Sequence, residues 1–481
     1  MGKAVALEHP EIWGGLIDLD VNGADRGPGL LACLRLAAGE DQLAVRGRSV
    51  LACRLVERGA SPAEPRALHR DGTYLVTGGL GGIGLTIADW IARNGGGHVV
   101  LTGRSALPDR ATWGSPHHDP ETQRRLAAIA EIERAGATVA YAQVNVGDRA
   151  GLQRLLDQID AGPHPLRGVV HAAGVATTVP VSALTRADFA AMLEPKVAGG
   201  WWLHELTRSR ALDFMMFCSS TSAVLGSSFL AHYAAANAFL DALAHHRRAE
   251  GLPALSVNWG PWRDVGMTSP QDLERLAAMG MKGMRPAAAV RSMAAAMAAR
   301  DTQVLIADIE WKDFLPVFEA RRSSALLKEM ATRAVEPLAV EAEPEGPAPL
   351  TLSVRGLTVE EARAAVVAAL RVEVAAVLHL DDASEIGDRR GFFEMGMDSL
   401  MAIELKKRVE RVVGVTLPRT VAFECPNVAA LADEVVRLLL RDLDRDGPAA
   451  NAGEGRAPAE LELTHESAEA VLLRELETLN Y

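Results

Sequence analysis

The chain has 481 residues, enough for more than one domain and a substantial buried core. A hydrophobic share of 48% and a charged share of 23% fit globular structure and exclude wholesale disorder. A formal charge of -12 excludes nucleic acid as a main partner, because a phosphate-binding surface needs a cationic excess.

No tract is apolar for long enough to span a bilayer, and residues 1–11 lack a signal-peptide core. Cys33, Cys53, Cys218 and Cys425 show neither paired nor metal-type spacing, so a reducing cytoplasm without a structural metal is expected. Two stretches rich in Glu, Ala, Pro and Gly read as linkers. They divide the chain into residues 1–66, a body over 67–330, a linker over 331–350, a small unit over 351–441, a second linker over 442–463 and a tail over 464–481.

In chain order, QLAVRG and SVLACRLVE are strand-like segments of the first piece. The body then alternates apolar runs with helical stretches: TYLVTGG, HVVLTGR, VAYAQVNV, GVVHAAG, FMMFCSS and ALSVNWG. Continuous apolar runs separated by helices predict parallel strands buried on both faces. The fold class is therefore α/β, a doubly wound, Rossmann-like parallel sheet whose ligand lies at the carboxyl ends of the strands. The first run leads from Thr77 into Gly79, Gly81, Gly82, Ile83 and Gly84, and a helix follows with Ile83, Ile87 and Ile91 on one face, stopping at Asn94-Gly95. Glycines at that turn let a pyrophosphate approach the backbone at the positive end of the helix. The next run ends in Arg104-Ser105, where an arginine suits a ribose 2'-phosphate and so favours NADPH; a solvated surface arginine is the alternative.

Lys196 falls on the helical stripe Phe189, Leu193, Lys196, Leu203, and Pro195 should kink that helix beside it. A lysine on a buried face needs a partner unless it snorkels to water. The run FMMFC delivers Ser219-Ser220 to the strand end, and Tyr233 and Asn237 follow. Hydride addition to a carbonyl leaves an alkoxide that needs a proton and a nearby donor, and Tyr233 and Ser220 are the residue types for those tasks. Each alone could equally be an ordinary core or strand-end residue.

In the small unit, Thr358 and Glu361 form a capping box for a helix running to about Val377. A second helix starts at Asp398-Ser399, with Leu400 and Ile403 turned inward. In the tail, Thr464 can cap a helix with Ala468, Leu472, Leu476 and Leu479 on one stripe, a face either folded back on the small unit or offered to another protein.

The body resembles the ketoreductase domain of modular polyketide synthases, a branch of the short-chain dehydrogenase/reductases. The matching strings are TGGLGGIG, LTGRS, HAAG, EPKVAG, the paired serines, YAAANAFLDALAHHRRAEGLPA and VNWGPW. Ordinary members of that superfamily carry a lysine four residues after the tyrosine, where this chain has Asn237; the polyketide branch exchanges the two positions, which fits Lys196 with Asn237. The resemblance implies a tetrad: Tyr233 as acid, Ser220 as carbonyl donor, Lys196 tuning Tyr233, and Asn237 holding the proton relay. It also implies cofactor contacts from Asn145, Val146, Ala172, Ala173 and Gly174. Three positions depart from the usual pattern: Ala176-Thr177-Thr178 replaces Leu-Asp-Asp, Leu225 replaces a tryptophan, and Asn145 replaces an aspartate near the adenine. Neither stereochemical fingerprint is met. Residues 266–284 resemble the family's mobile lid, and residues 1–66 resemble the second half of its structural subdomain, which predicts an unpaired sheet edge and so a partner or poor solubility.

GFFEMGMDSLMAIELKKRVE and LPRTVAFECPNVAALADEVV resemble an acyl carrier protein, a small all-α four-helix domain. The resemblance implies 4'-phosphopantetheine on Ser399, attached by a phosphopantetheinyl transferase. LTHESAEAVLLRELETL resembles the docking helices of modular synthases. The implied substrate is a β-ketoacyl chain on the carrier. An upstream protein containing ketosynthase and acyltransferase supplies it, and the terminal helix passes it to a downstream synthase. The competing readings are a free-standing dehydrogenase and a catalytically silent reductase scaffold that serves as carrier and docking protein.

Overall fold

The computed structural model describes residues 1–20, 26–36, 39–59, 67–320, 322–334 and most of 358–445. The tail helix, the first linker from 335 on and the second linker beyond Arg445 lie outside the described residues.

The first piece contains helix α1 (Gly2–Glu8), strand β1 (Leu16–Leu19), helix α2 (Arg26–Arg35), and strands β2 (Gln42–Arg46) and β3 (Ser49–Ala52). The three strands form one sheet in the order β1-β2-β3, with β1 parallel and β3 antiparallel to β2, over a small core of Cys33, Leu43 and Val45. It is tied to the end of the body: the Leu55 amide donates to the Leu326 carbonyl at 2.8 Å, and Lys328 pairs with Glu40 at 3.0 Å.

Six of the body's strands are those read from the apolar runs: β4 (Thr73–Thr77), β5 (His98–Gly103), β6 (Thr138–Gln143), β7 (Leu166–His171), β8 (Phe214–Ser220) and β9 (Leu255–Trp259). Gln303–Ile306 adds a seventh to this sheet, which the sequence reading missed because four residues leave almost no pattern. It is β11; β10 (Met281–Lys282) and β12 (Asp308–Ile309) pair with each other outside the main sheet. The main sheet is parallel throughout, in the order β11-β9-β8-β7-β4-β5-β6. Chain order reverses at β4, so a crevice opens between the carboxyl ends of β4 and β7.

Helices cover both faces: α3 (Gly82–Arg93), α4 (Pro120–Arg134), α5 (Arg149–Asp160), α6 (Arg186–Leu193), α7 (Gly199–Thr207), α8 (Thr221–Leu225), α9 (Ala231–Ala249), α10 (Pro270–Ala278), α11 (Pro286–Ala298), α12 (Trp311–Phe318) and α13 (Lys328–Ala334). Two large apolar cores sandwich the sheet, one built on Ile87, Ile91 and Ile129, the other on Leu152, Leu156 and Leu240. The region likened to a lid carries α10, none of whose residues is buried. No helix among the described residues is long and apolar enough to cross a membrane.

The small unit has a core of its own, centred on Val366, Leu370, Leu405 and Leu431. Its described helices are α14 (Val359–Val377), α15 (Ser399–Val413) and α16 (Val428–Arg445). The capping box forms as expected, with the Glu361 amide donating to Thr358 Oγ1 at 3.3 Å and the Thr358 amide to Glu361 Oε2 at 2.9 Å. Helix α16 runs four residues past the expected boundary, because the first helix breakers are Gly447-Pro448 and DLDR is compatible with helix.

Candidate active site

The crevice is built from four segments that the sheet brings together. Strand β4 is buried along its whole length and ends at Thr77, whose Oγ1 lies 2.8 Å from His171 Nδ1 on neighbouring β7. Burial lowers the His171 pKa to about 3, so its ring is neutral at physiological pH.

Gly78 has φ +64°, and a Cβ there would stand 2.6 Å from the Ala173 amide nitrogen. A Cβ on Gly84 would meet the Gly78 carbonyl oxygen at 2.5 Å, and one on Gly82 would meet Val265 at 2.8 Å, where the lid-like region begins. The glycines thus allow three backbones to converge. Helix α3 starts behind them at Gly81 with no side-chain cap, so the amides of Gly82, Ile83 and Gly84 form the donor-rich end suited to a pyrophosphate. The residues present therefore fit a dinucleotide.

Residues 172–174 join this loop to Lys196. Ala172 and Ala173 pack against Gly78, and a Cβ on Gly174 would meet Lys196 Cε at 2.8 Å. Arg104 and Ser105 are exposed at the end of β5; Gln143 Nε2 donates to the Arg104 carbonyl at 2.9 Å, and Tyr141 Oη to that of Ser105. Val146 is buried against Gly199 of α7. Asn145, expected beside the adenine, donates from Nδ2 to Glu194 at 2.9 Å, while its Oδ1 accepts the Gly147 amide. A short polar side chain at a strand end here serves its own turn.

Lys196 is 3% exposed. Pro195 does more than kink the helix: residues Glu194–Ala198 form a π-helical turn between α6 and α7, since proline has no N–H for the regular ladder. That turn faces Lys196 inward, where its Nζ donates to the Cys218 carbonyl at 2.9 Å and lies 5.7 Å from the Tyr233 ring centroid. Burial lowers the Lys196 pKa to about 8. The phenol of Tyr233 is pushed up by burial and drawn partly back by the Ser220 and Asn237 side chains, so it holds its proton at neutral pH. Ser220 ends β8, and its Oγ caps α8 by accepting the Ser222 amide at 3.2 Å. Asn237 is fully buried; Nδ2 donates to the Tyr233 carbonyl at 2.8 Å, one turn back on α9, and its Oδ1 has no protein partner. The fold thus brings Lys196, Ser220, Tyr233 and Asn237, the four residues of the expected tetrad, to one mouth of the sheet.

Sequence reasoning missed the layer behind them. Asn258 Nδ2 donates to Asp241 Oδ2 at 2.8 Å and to Ser219 Oγ at 2.9 Å, Ser219 Oγ donates to the Asn237 carbonyl at 3.2 Å, and Ser256 Oγ donates to Asp241 Oδ1 at 2.5 Å. This buried network fixes α9 against β8 and β9. Its only sequence signal was polar residues inside the apolar strings LSVNW and NAFLDAL.

Away from the crevice, His204, His246 and Glu250 bring ligand-type atoms within 4.8 Å of one another. Arg247 Nη1 donates to His204 Nδ1 at 3.1 Å, which leaves the ring hydrogen on Nε2, the atom facing Glu205 and Glu250. Nε2 stands 3.6 Å from Glu205 and 3.9 Å from Glu250 and has no hydrogen-bond partner among the described residues.

In the small unit, Ser399 opens α15 as expected. Its side chain lies outside the described residues, as do Asp398 and the side chains of Leu400 and Ile403.

A parallel sheet with a glycine turn after β4 and a tyrosine beside a buried lysine at the end of β8 defines a Rossmann-like reductase fold. Residues 72–264 match the KR domain family, and residues 368–435 match the phosphopantetheine attachment site family. An A-type ketoreductase structure from a modular polyketide synthase superposes with a TM-score of 0.62 at 40% identity, covering 69% of each chain. The chain therefore belongs to the modular polyketide synthase family, as a ketoreductase domain joined to a carrier domain. Polyketide synthase GfsB of Streptomyces halstedii is 37% identical over 90% of this chain, and pikromycin synthase component PikAIII of Streptomyces venezuelae is 35% identical over 96% of it. The chain spans 8% and 29% of those relatives, respectively.

Proposed function

We propose that the chain reduces the β-carbonyl of a ketoacyl thioester, carried on Ser399, to the hydroxyl with NADPH. The observation that carries this is the buried Lys196 ammonium beside the Tyr233 ring at the end of the strand that delivers Ser220. Bound nicotinamide supplies the hydride. The glycine turn with Thr77 and the α3 amides would hold the pyrophosphate, Arg104 and Ser105 the 2'-phosphate, and residues 145–146 and 172–174 the faces of the nucleoside. Ser220 hydrogen-bonds the carbonyl oxygen, Tyr233 Oη gives it a proton as the alkoxide forms, and the phenolate left behind is stabilised by Lys196. Asn237 Oδ1 is a buried acceptor suited to holding a water through which solvent returns a proton to Tyr233.

4'-Phosphopantetheine on Ser399 would supply the thiol that tethers the acyl chain. The carrier unit, with its separate core, lets the thioester travel to the crevice. Condensation on an upstream ketosynthase and acyltransferase protein, attachment by a phosphopantetheinyl transferase, docking of residues 464–481 on a downstream synthase and a cytoplasmic setting complete the reading.

The test is oxidation of NADPH, compared with NADH, by a soluble β-ketothioester. Wild type should favour NADPH, and Tyr233→Phe should lose at least about 100-fold in kcat. Wild type without turnover would leave only the carrier role. Intact mass after incubation with coenzyme A and a phosphopantetheinyl transferase should rise by one arm in wild type and stay unchanged in Ser399→Ala.

A further inference from the structure

Two loops beside the Lys196–Tyr233 pair are joined by one carboxylate from the first piece of the chain. Residues 174–185 follow β7 and include the 3-10 turn Val181–Ala183, while residues 226–230 connect α8 to α9 immediately before Tyr233. Glu8, at the end of α1, accepts the Val181 amide on Oε2 and the Phe229 amide on Oε1, each at 2.8 Å. These residues are 173 and 221 positions away in sequence. The loops also meet directly, because the Val179 amide donates to the Phe229 carbonyl at 2.8 Å.

Phe229 has φ +64°, an unfavourable conformation for a residue with a side chain, and both its backbone polar groups are held, one by Glu8 and one by Val179. Its ring is 47% exposed, so burial of the ring does not account for the conformation. Helix α1 seats closely here: a Cβ on Gly226 would stand 2.7 Å from the Lys3 carbonyl oxygen. Beside this point, Thr177 Oγ1 lies 3.1 Å from His232 Nε2, next to Tyr233.

We propose that Glu8 is a positioning residue for the reduction, clamping the walls of the substrate entrance at one separation so that the ketoacyl thioester enters with its carbonyl aligned to Tyr233. This inference rests on the reductase function above. The requirement is for glutamate: a carboxylate offers two acceptors and no donor, whereas glutamine would turn an NH2 toward one of the two amides, and aspartate is a methylene too short to serve both from the same backbone position.

The experiment compares full-length wild type with Glu8→Gln, Glu8→Ala and Glu8→Asp. In all three variants, KM for the β-ketothioester should rise about tenfold or more, the worth of a charge-assisted hydrogen bond, with kcat within about threefold and NADPH affinity, read by fluorescence, unchanged. A KM within about twofold of wild type in Glu8→Gln overturns the proposal. So does a loss of NADPH affinity matching the rise in KM, which marks a general loss of structure. Wild type without turnover overturns the function instead, and hydrogen exchange then judges the clamp. The Val181 and Phe229 amides should exchange at least about tenfold faster in Glu8→Gln; equal protection overturns it.

Discussion

Lys196 concentrates the chemistry of the site in one side chain. Its burial costs stability while the ammonium is charged, and the cost is tolerated because the Cys218 carbonyl and the Tyr233 ring surround the charge. With its pKa depressed from 10.5 to about 8, the folded protein loses this proton before the unfolded chain does. The stability cost is therefore full below pH 8 and is relieved as pH rises from about 8 toward 10.5. Reductase activity should move the opposite way, since neutral Lys196 no longer supports a phenolate. We expect kcat/KM to decline with a midpoint near pH 8; a rate profile flat to pH 10 would remove the ammonium from the mechanism. Lys196 was legible in the sequence as a cation on an apolar stripe. The π-helical turn that faces it inward was not, because a proline announces a disturbance without specifying its geometry.

At the scale of elements, the turn from β4 into α3 is tightly constrained. Its glycines are required by the approach of other backbones, from residues 172–173 and 265–266, in addition to the tight turn itself. Gly84→Ala should therefore disturb the loop even though α3 favours alanine by propensity: its Cβ would meet the Gly78 carbonyl oxygen at 2.5 Å, and a backbone oxygen cannot rotate away. The expected result is a loss of about 2 kcal/mol or more in stability together with weakened NADPH binding, measured by denaturant unfolding and fluorescence titration. Tolerance of the substitution would show the loop to be looser than drawn. The glycine motif was readable in sequence; Ala172-Ala173 and Val265-Gly266, which close on Gly78 and Gly82 from segments distant in the chain, were not.

For the whole molecule, the reductase and carrier units keep separate apolar cores. Two cores predict two cooperative units, joined by residues 335–350. Leu370 is 1% exposed in the carrier core, and Leu370→Ala should cost that unit about 3 kcal/mol. Calorimetry should show the carrier transition alone moving down, with NADPH turnover on a soluble thioester unchanged. A shift of both transitions would mean that the two units unfold as one. Separate stability suits a tethered substrate, since the carrier must move without loosening the crevice.

The sequence alone determined the alternating layout of the body, six of its seven main-sheet strands, the glycine turn and the carrier helices that open at Thr358 and Ser399. Each follows from periodicity or from a local string, and local patterns survive without knowledge of neighbours. Tertiary structure alone decided that Asn145 serves Glu194, that Asp241, Asn258 and Ser219 brace α9, and that Glu8 reaches Val181 and Phe229. Those are hydrogen bonds between residues distant in the chain, and a polar side chain carries no mark of which remote partner the packing of the sheet will bring to it.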